Sequence, residues 1–264
     1  MQISLWPEGK IPYYLPGEDT PNQMTAYLSE SEKPAPAVIV FPGGGYTHRA
    51  AHEGEPSAQF YQSQGMQAFV VDYRLVPHRF PTSLADAQRA IRLVRSHAAE
   101  WNVDPERVFV LGFSAGGHLA ASAITLEDVA KIGDELDEIS PRPNGAILCY
   151  SFISALEGDG GATWRCGQGI QQGTGKTAED ISLQLHVDAN TPPCFLGHTA
   201  ADTVVPVTQS MDFASALVRN GVLFESHIYP QGKHGLGLAK DWPDVSQWAQ
   251  QSADWILRNF PEKE

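Results

Sequence analysis

Gly112-Phe113-Ser114-Ala115-Gly116 is a G-x-S-x-G stretch, and the chemistry it could perform is acyl transfer to a serine hydroxyl. Apolar Val108-Phe109-Val110-Leu111 precedes it and Gly117-His118-Leu119-Ala120-Ala121 follows, so the local order is strand, sharp turn, helix. Glycines two residues before and after the serine leave room for a strained turn that lifts the hydroxyl clear of a sheet. In a chain with 24 glycines the pattern alone is weak, and the plain alternative is a Gly/Ser turn. The strand before it and the helix after it favour a nucleophile.

A serine hydroxyl is a poor nucleophile at neutral pH. It needs a base to take its proton and a carboxylate to fix the tautomer of that base. Of nine histidines, His234 in Pro230-Gln231-Gly232-Lys233-His234-Gly235 lies just beyond the last strand, on the sheet edge where Ser114 is expected. Asp202 stands just past the preceding strand and faces the same edge. Taken singly, Asp202 could open a turn before Pro206 and His234 could be a surface loop residue. Together with Ser114 they form a Ser-His-Asp set drawn from three strand ends. Asp188 is the alternative acid, weaker because it precedes its nearest strand and falls at the opposite edge. Pro42-Gly43-Gly44-Gly45-Tyr46 ends another strand, and its glycines let backbone N–H groups turn toward a ligand, as an oxyanion site requires. A flexible loop is the rival reading of that stretch.

The remaining histidines carry less. His48 and His52 are spaced as zinc ligands on a helix would be but lack a third ligand, so no metal is expected. His118 reads as a packing or hydrogen-bonding residue, and His186, His198 and His227 as structural. Gly173-Thr174-Gly175-Lys176-Thr177 lacks the glycine at position 170 and the preceding strand that a phosphate-binding loop needs.

The elements that must position these groups alternate along the chain. Short runs at 3–6 and 24–28 read as antiparallel edge strands. Ala37-Val38-Ile39-Val40-Phe41 is an uninterrupted apolar run, as expected of a strand buried on both faces. Further strands are expected at 68–73, 108–111, 146–150, 194–199 and 224–229, with helices at 56–64, 207–220 and 245–260. Leu84, Ala87, Ile91, Val94, Ala98 and Trp101 repeat at helical spacing as one buried stripe, with Arg89, Arg92 and Arg95 mostly outside it. Asp104-Pro105-Glu106 reads as a turn into the strand that bears Ser114. The alternation argues for an α/β domain, with a mostly parallel sheet of about eight strands covered on both faces. Residues 151–190, rich in glycine, break the rhythm and read as a lid-like segment of a single domain spanning 1–264. Trp164 within it is a candidate platform for a sugar ring or an acyl group.

Composition narrows the partners. The hydrophobic share of 42% and the charged share of 19% describe a soluble globular chain, with no run long enough to span a membrane. Its formal charge of −13 disfavours nucleic acid, whose binding rests on clustered Lys and Arg. The acidic stretch from 127 to 138 reads as a solvated face. Cys149, Cys166 and Cys194 look like reduced thiols rather than a disulfide framework, and the N-terminus lacks the pattern of a signal peptide, so a cytoplasmic location is expected. A homo-oligomer stays open.

Several stretches together resemble the α/β-hydrolase superfamily, and within it the acetyl esterases related to xylan and carbohydrate esterases. They are Phe41-Pro42-Gly43-Gly44-Gly45-Tyr46, Glu53-Gly54-Glu55-Pro56, Asp72-Tyr73-Arg74, the serine motif through Ala120, Thr191-Pro192-Pro193, 198–206 and Gly232-Lys233-His234-Gly235-Leu236. The resemblance implies the α/β-hydrolase fold, nucleophile Ser114, acid Asp202, base His234, and oxyanion donors from the backbone of Gly44, Gly45 and Ala115, with no cofactor. Tyr46 and Trp164 are the candidate substrate contacts. Related lipases and esterases carry His where this chain has Pro42, which leaves Gly45 and Tyr46 as an alternative donor pair. The expected reaction is hydrolysis of a short-chain acyl ester, an acetyl ester on a carbohydrate first. Rivals are an arylformamidase or a peptidase on the same scaffold, and a non-catalytic binding protein.

Overall fold

Side chains alternate between the two faces of a β-strand, and where both faces are covered every position must be apolar. The central strands of this chain obey that rule. The computed structural model describes residues 1–16, 22–156, 166–167 and 169–262. Its strands are β1 (Gln2–Ser4), β2 (Gln23–Tyr27), β3 (Ala35–Phe41), β4 (Gln67–Val71), β5 (Val103–Phe113), β6 (Gly145–Cys149), β7 (Cys194–Thr199) and β8 (Phe224–Tyr229). They form one sheet in the order β1-β2-β4-β3-β5-β6-β7-β8. The pairs β1/β2 and β2/β4 are antiparallel, and all the other neighbours run parallel.

Every residue of β3 is buried. Ala37, Ile39 and Phe41 join the core on one face of the sheet, and Val38 and Val40 the core on the other. In β5, Val108 and Val110 take the first face while Phe109, Leu111 and Phe113 take the second. Helices α2 (Thr82–Ser96), α3 (Ala115–Thr125) and α4 (Thr208–Arg219) cover the first face, and α1 (Glu55–Ser63) and α5 (Pro243–Asn259) the second. Each fully buried Phe in these layers contributes about 2–3 kcal/mol of apolar transfer energy. This sandwich holds the C-terminal ends of β3, β5, β7 and β8 along one edge.

Three expectations are corrected here. The turn expected at Asp104-Pro105-Glu106 lies within β5, as an irregularity where pairing with β3 passes from Val103 to Val108. Arg89 and Arg92 are not outside the buried surface of their helix, and the acidic stretch is not simply a solvated face. Arg89 reaches Asp134 with both terminal nitrogens at 3.0 and 2.7 Å, and Arg92 reaches Asp128 the same way at 3.0 and 2.6 Å. Residues 84–94 of α2 are all buried, because the helix has the sheet on one side and the 127–139 segment on the other. A helix covered on both sides needs partners for its polar face, and paired carboxylates supply them.

Candidate active site

The strand-to-helix turn places Ser114 just past β5, at φ 51° and ψ −117°, directly before α3. A left-handed φ is costly for a serine and persists only where its surroundings impose it. The imposing contact is close helix-to-strand packing: a Cβ on Gly116 would collide with the carbonyl of Phe41. Asp202 lies just beyond β7, and His234 on the loop after β8. Parallel strands that end together therefore bring three residues far apart in sequence to one edge.

His234 Nε2 is 2.9 Å from Ser114 Oγ, and His234 Nδ1 is 2.7 Å from Asp202 Oδ2. A carboxylate only accepts, so the proton sits on Nδ1 and Nε2 is left to accept from the serine hydroxyl. The Asp202 side chain is sealed from solvent, and its Oδ1 also accepts from the backbone N–H groups of Val204 and Val205 at 2.8 and 3.0 Å. Burial alone would raise its pKa. Hydrogen bonds from His198 and His234, with the His234 charge and the Val204 amide, outweigh that and hold the carboxyl well below the usual range.

The glycine loop follows β3 on the other side of Ser114. Tyr73 donates its hydroxyl to the Pro42 carbonyl at 2.5 Å, and the Gly43 N–H donates to Glu53 Oε2 at 2.7 Å. These bonds set the register of the loop without a histidine at position 42. Gly44 has φ 127°, which a side chain would not tolerate, and its carbonyl accepts from the N–H groups of Thr47 and His48. Among the described residues, the N–H groups of Gly44, Gly45 and Ala115 find no acceptor. All three residues line a cavity of about 410 Å³ together with Ser114 and His234, and Phe152, Cys166, Val204 and Val205 supply apolar wall.

Tyr46 is not brought to this cavity. Its side chain is buried, with the hydroxyl 2.8 Å from His118 Nδ1 and the ring edge-on to Tyr73 and His118. An amphipathic ring of that size gains more from a sealed polar partner than from the rim of a pocket. Trp164 lies outside the described residues. Asp188 turns back on its own loop, bonding Asn190 and Thr191. His118 does pack and hydrogen-bond, stacked on Phe152 and bonded to the Ile181 carbonyl. His52 is bound through Nε2 to the Gly235 carbonyl at 2.9 Å, and His48 to neighbouring Thr47. The three cysteines are free thiols.

Three residues of the site had no chemical signal of their own in the sequence. His198 braces Asp202 from behind at 3.4 Å, its other ring nitrogen bonded to Ser210. Glu53 and Tyr150 bond each other beneath the His234 loop. Glu53 and His198 were marked only by their placement in the Glu53-Gly54-Glu55-Pro56 and 198–206 stretches, and Tyr150 only by its place at the end of an expected strand.

Two family models cover the chain in succession. The BD-FAE model matches residues 24–150, and the prolyl oligopeptidase family model matches residues 147–263. The acetyl ester-xyloside bifunctional hydrolase of Caldicellulosiruptor lactoaceticus superposes with a TM-score of 0.89 at 41% identity, over 98% of this chain and 96% of that one. This chain belongs to the α/β-hydrolase esterases. Curated relatives of this α/β-hydrolase include endo-1,4-beta-xylanase B of Butyrivibrio fibrisolvens, 37% identical over 90% of the chain, and the acetylxylan esterase of Xylanibacter ruminicola, 31% identical over 92%. The chain spans 38% and 49% of the lengths of those two proteins. No helix among the described residues of this α/β-hydrolase is long and apolar enough to cross a membrane.

Proposed function

We propose that this esterase hydrolyses short-chain acyl esters, acetyl esters of xylo-oligosaccharides or related carbohydrates first, with Ser114 as nucleophile, His234 as general base and acid, and Asp202 as the orienting carboxylate. The observation that carries the reading is the Ser114–His234–Asp202 relay at 2.9 and 2.7 Å, facing a cavity rimmed by amides without acceptors. Ser114 Oγ attacks the ester carbonyl while His234 Nε2 takes its proton. The carbonyl oxygen becomes an oxyanion, held by N–H groups of Gly44, Gly45 and Ala115. His234 returns the proton to the leaving alcohol, and an acyl-serine remains. A water molecule, deprotonated by the same imidazole, then attacks the acyl carbon, and the acid leaves as Ser114 recovers its proton. One oxyanion donor is worth about 3 kcal/mol in such a transition state.

The acetyl and sugar parts of the reading are supported by the names of two relatives, an acetylxylan esterase and an acetyl ester-xyloside hydrolase. A peptidase is the second reading, favoured by the prolyl oligopeptidase match over 147–263. The deciding experiment measures acetate release from acetylated xylo-oligosaccharides beside hydrolysis of 4-nitrophenyl acetate, with wild type and Ser114→Ala. Wild type is expected to cleave both, and Ser114→Ala to lose turnover on the order of 10⁶-fold with its fold intact. Cleavage of the activated ester alone would remove the sugar, and cleavage of a peptide substrate instead would move the assignment to the peptidase.

A further inference from the structure

Glu53 is a buried carboxylate that takes no step in acyl transfer. It ends the 3₁₀ turn Ala51–Glu53, which joins the glycine loop to α1, and it is 2% exposed. A carboxylate shut away from water needs donors, and those of Glu53 come from two different loops. Oε2 accepts the Gly43 N–H at 2.7 Å, and Oε1 accepts the Tyr150 hydroxyl at 2.8 Å. The oxygen of that hydroxyl in turn accepts the Gly237 N–H at 2.8 Å. His52, in the same turn, adds a second strap by donating Nε2–H to the Gly235 carbonyl at 2.9 Å. Gly43 directly precedes the two glycines with open amides, and Gly235 and Gly237 lie one and three residues after His234 on its loop.

Tyr150 is itself held under strain. Its φ is 37°, in the left-handed region, and its ring stands edge-on to the His234 ring with centroids 5.1 Å apart. Such a backbone persists where its surroundings over-determine it, and here they are the bond to Glu53, the bond from Gly237 and a backbone bond to Gly197.

We infer that Glu53 is a positioning residue for the reaction, tying the glycine loop to the His234 loop through Tyr150 so that the donor amides and the imidazole hold one mutual geometry. The inference rests on the roles proposed above for Ser114, His234 and the loop amides. Its physical content is a difference between ground and transition state. Amides and imidazole ride on separate loops, and any drift between them lengthens a bond to the reacting atoms at the moment charge develops. Donors that are fixed beforehand need no reorganisation then. Substrate in its ground state leans instead on the apolar walls formed by Phe152, Val204 and Val205; Glu53 also lines the cavity, but its two oxygens are taken up by Gly43 and Tyr150. A carboxylate that merely closed off loop ends would contribute to stability and leave this difference unchanged.

The test uses Glu53→Gln, Tyr150→Phe, the double variant and Ser114→Ala, with 4-nitrophenyl acetate as substrate and an alkyl trifluoromethyl ketone as mimic of the tetrahedral adduct. Glu53→Gln is expected to lower kcat about 10- to 100-fold with KM changed less than about threefold. It should weaken the ketone by a matching factor. Tyr150→Phe should lower kcat by less, and the double variant should be no worse than Glu53→Gln, because both cut one tie. A folded Glu53→Gln with kcat within about twofold of wild type overturns the inference, as do losses that multiply in the double variant or a ketone affinity that stays put while kcat falls. If Glu53→Gln does not fold by circular dichroism, Tyr150→Phe decides, and unchanged kcat there overturns it. Activity in Ser114→Ala would overturn the proposed function instead, whereas an inactive Ser114→Ala beside a fully active Glu53→Gln would overturn this inference alone.

Discussion

Asp202 spends both of its oxygens on donors, and that arrangement decides what its loss would do. Oδ2 receives the Nδ1–H of His234, and Oδ1 receives two backbone amides that keep the carboxylate from turning. In Asp202→Asn the amide nitrogen would present N–H where His234 needs an acceptor, so the imidazole would favour the wrong tautomer and leave no lone pair for Ser114. Steady-state kinetics should show kcat reduced on the order of 10⁴-fold, with KM far less affected. Asp188→Asn should be silent in the same assay, because Asp188 bonds only within its own turn. A silent Asp202→Asn would reverse the choice between the two acids.

Helix α2 shows how a single element can satisfy local rules and still surprise. Its apolar stripe is periodic and legible, yet Arg89 and Arg92 are buried on what a helical wheel presents as the polar side. Arg92 is nearly inaccessible, with Asp128, the Ile139 carbonyl and the Asp137 carbonyl around its guanidinium. Removing a buried partner strands the other charge and the carbonyls that faced it. Arg92→Ala should therefore cost about 3 kcal/mol in urea denaturation, while Glu135→Ala, an exposed position on the same segment, should stay within about 0.5 kcal/mol. Equal effects would return the segment to the status of a solvated face.

At the scale of the whole molecule, acid stability is set by groups that folding seals inside. His118 lies between Tyr46, Phe152 and the Ile181 carbonyl, and burial pushes its pKa down to about 4 against a smaller upward pull from that carbonyl. Its folded pKa is thus below the unfolded value near 6.5, so between the two the unfolded chain binds a proton that the folded chain refuses. Stability from this residue is complete above about pH 6.5, falls as pH drops toward 4, and amounts to on the order of 3 kcal/mol. The depressed carboxyl of Asp202 adds a loss of the same sign at lower pH, beginning below about 3.9. Urea midpoints at pH 7 and pH 4.5 should fall steeply in wild type and less steeply in His118→Asn, even though that variant is weaker at pH 7. Parallel slopes would show that His118 does not carry the effect.

By itself the sequence determined the order of strands and helices, the sheet with both faces covered, and the sheet edge at which Ser114, His234 and Asp202 meet. Hydrophobic period is a local property, and parallel strands that end together turn a strand-end position into an edge of the sheet, so each of those residues was legible from its place in the chain. Only the tertiary structure decided that Tyr46 turns inward to His118, that Arg89 and Arg92 grip the acidic segment, that Glu53 and Tyr150 bond each other, and that His198 backs Asp202. Buried polar groups choose partners by distance in three dimensions under the penalty of being left unpaired, and a penalty met across the fold leaves no periodic trace along the chain.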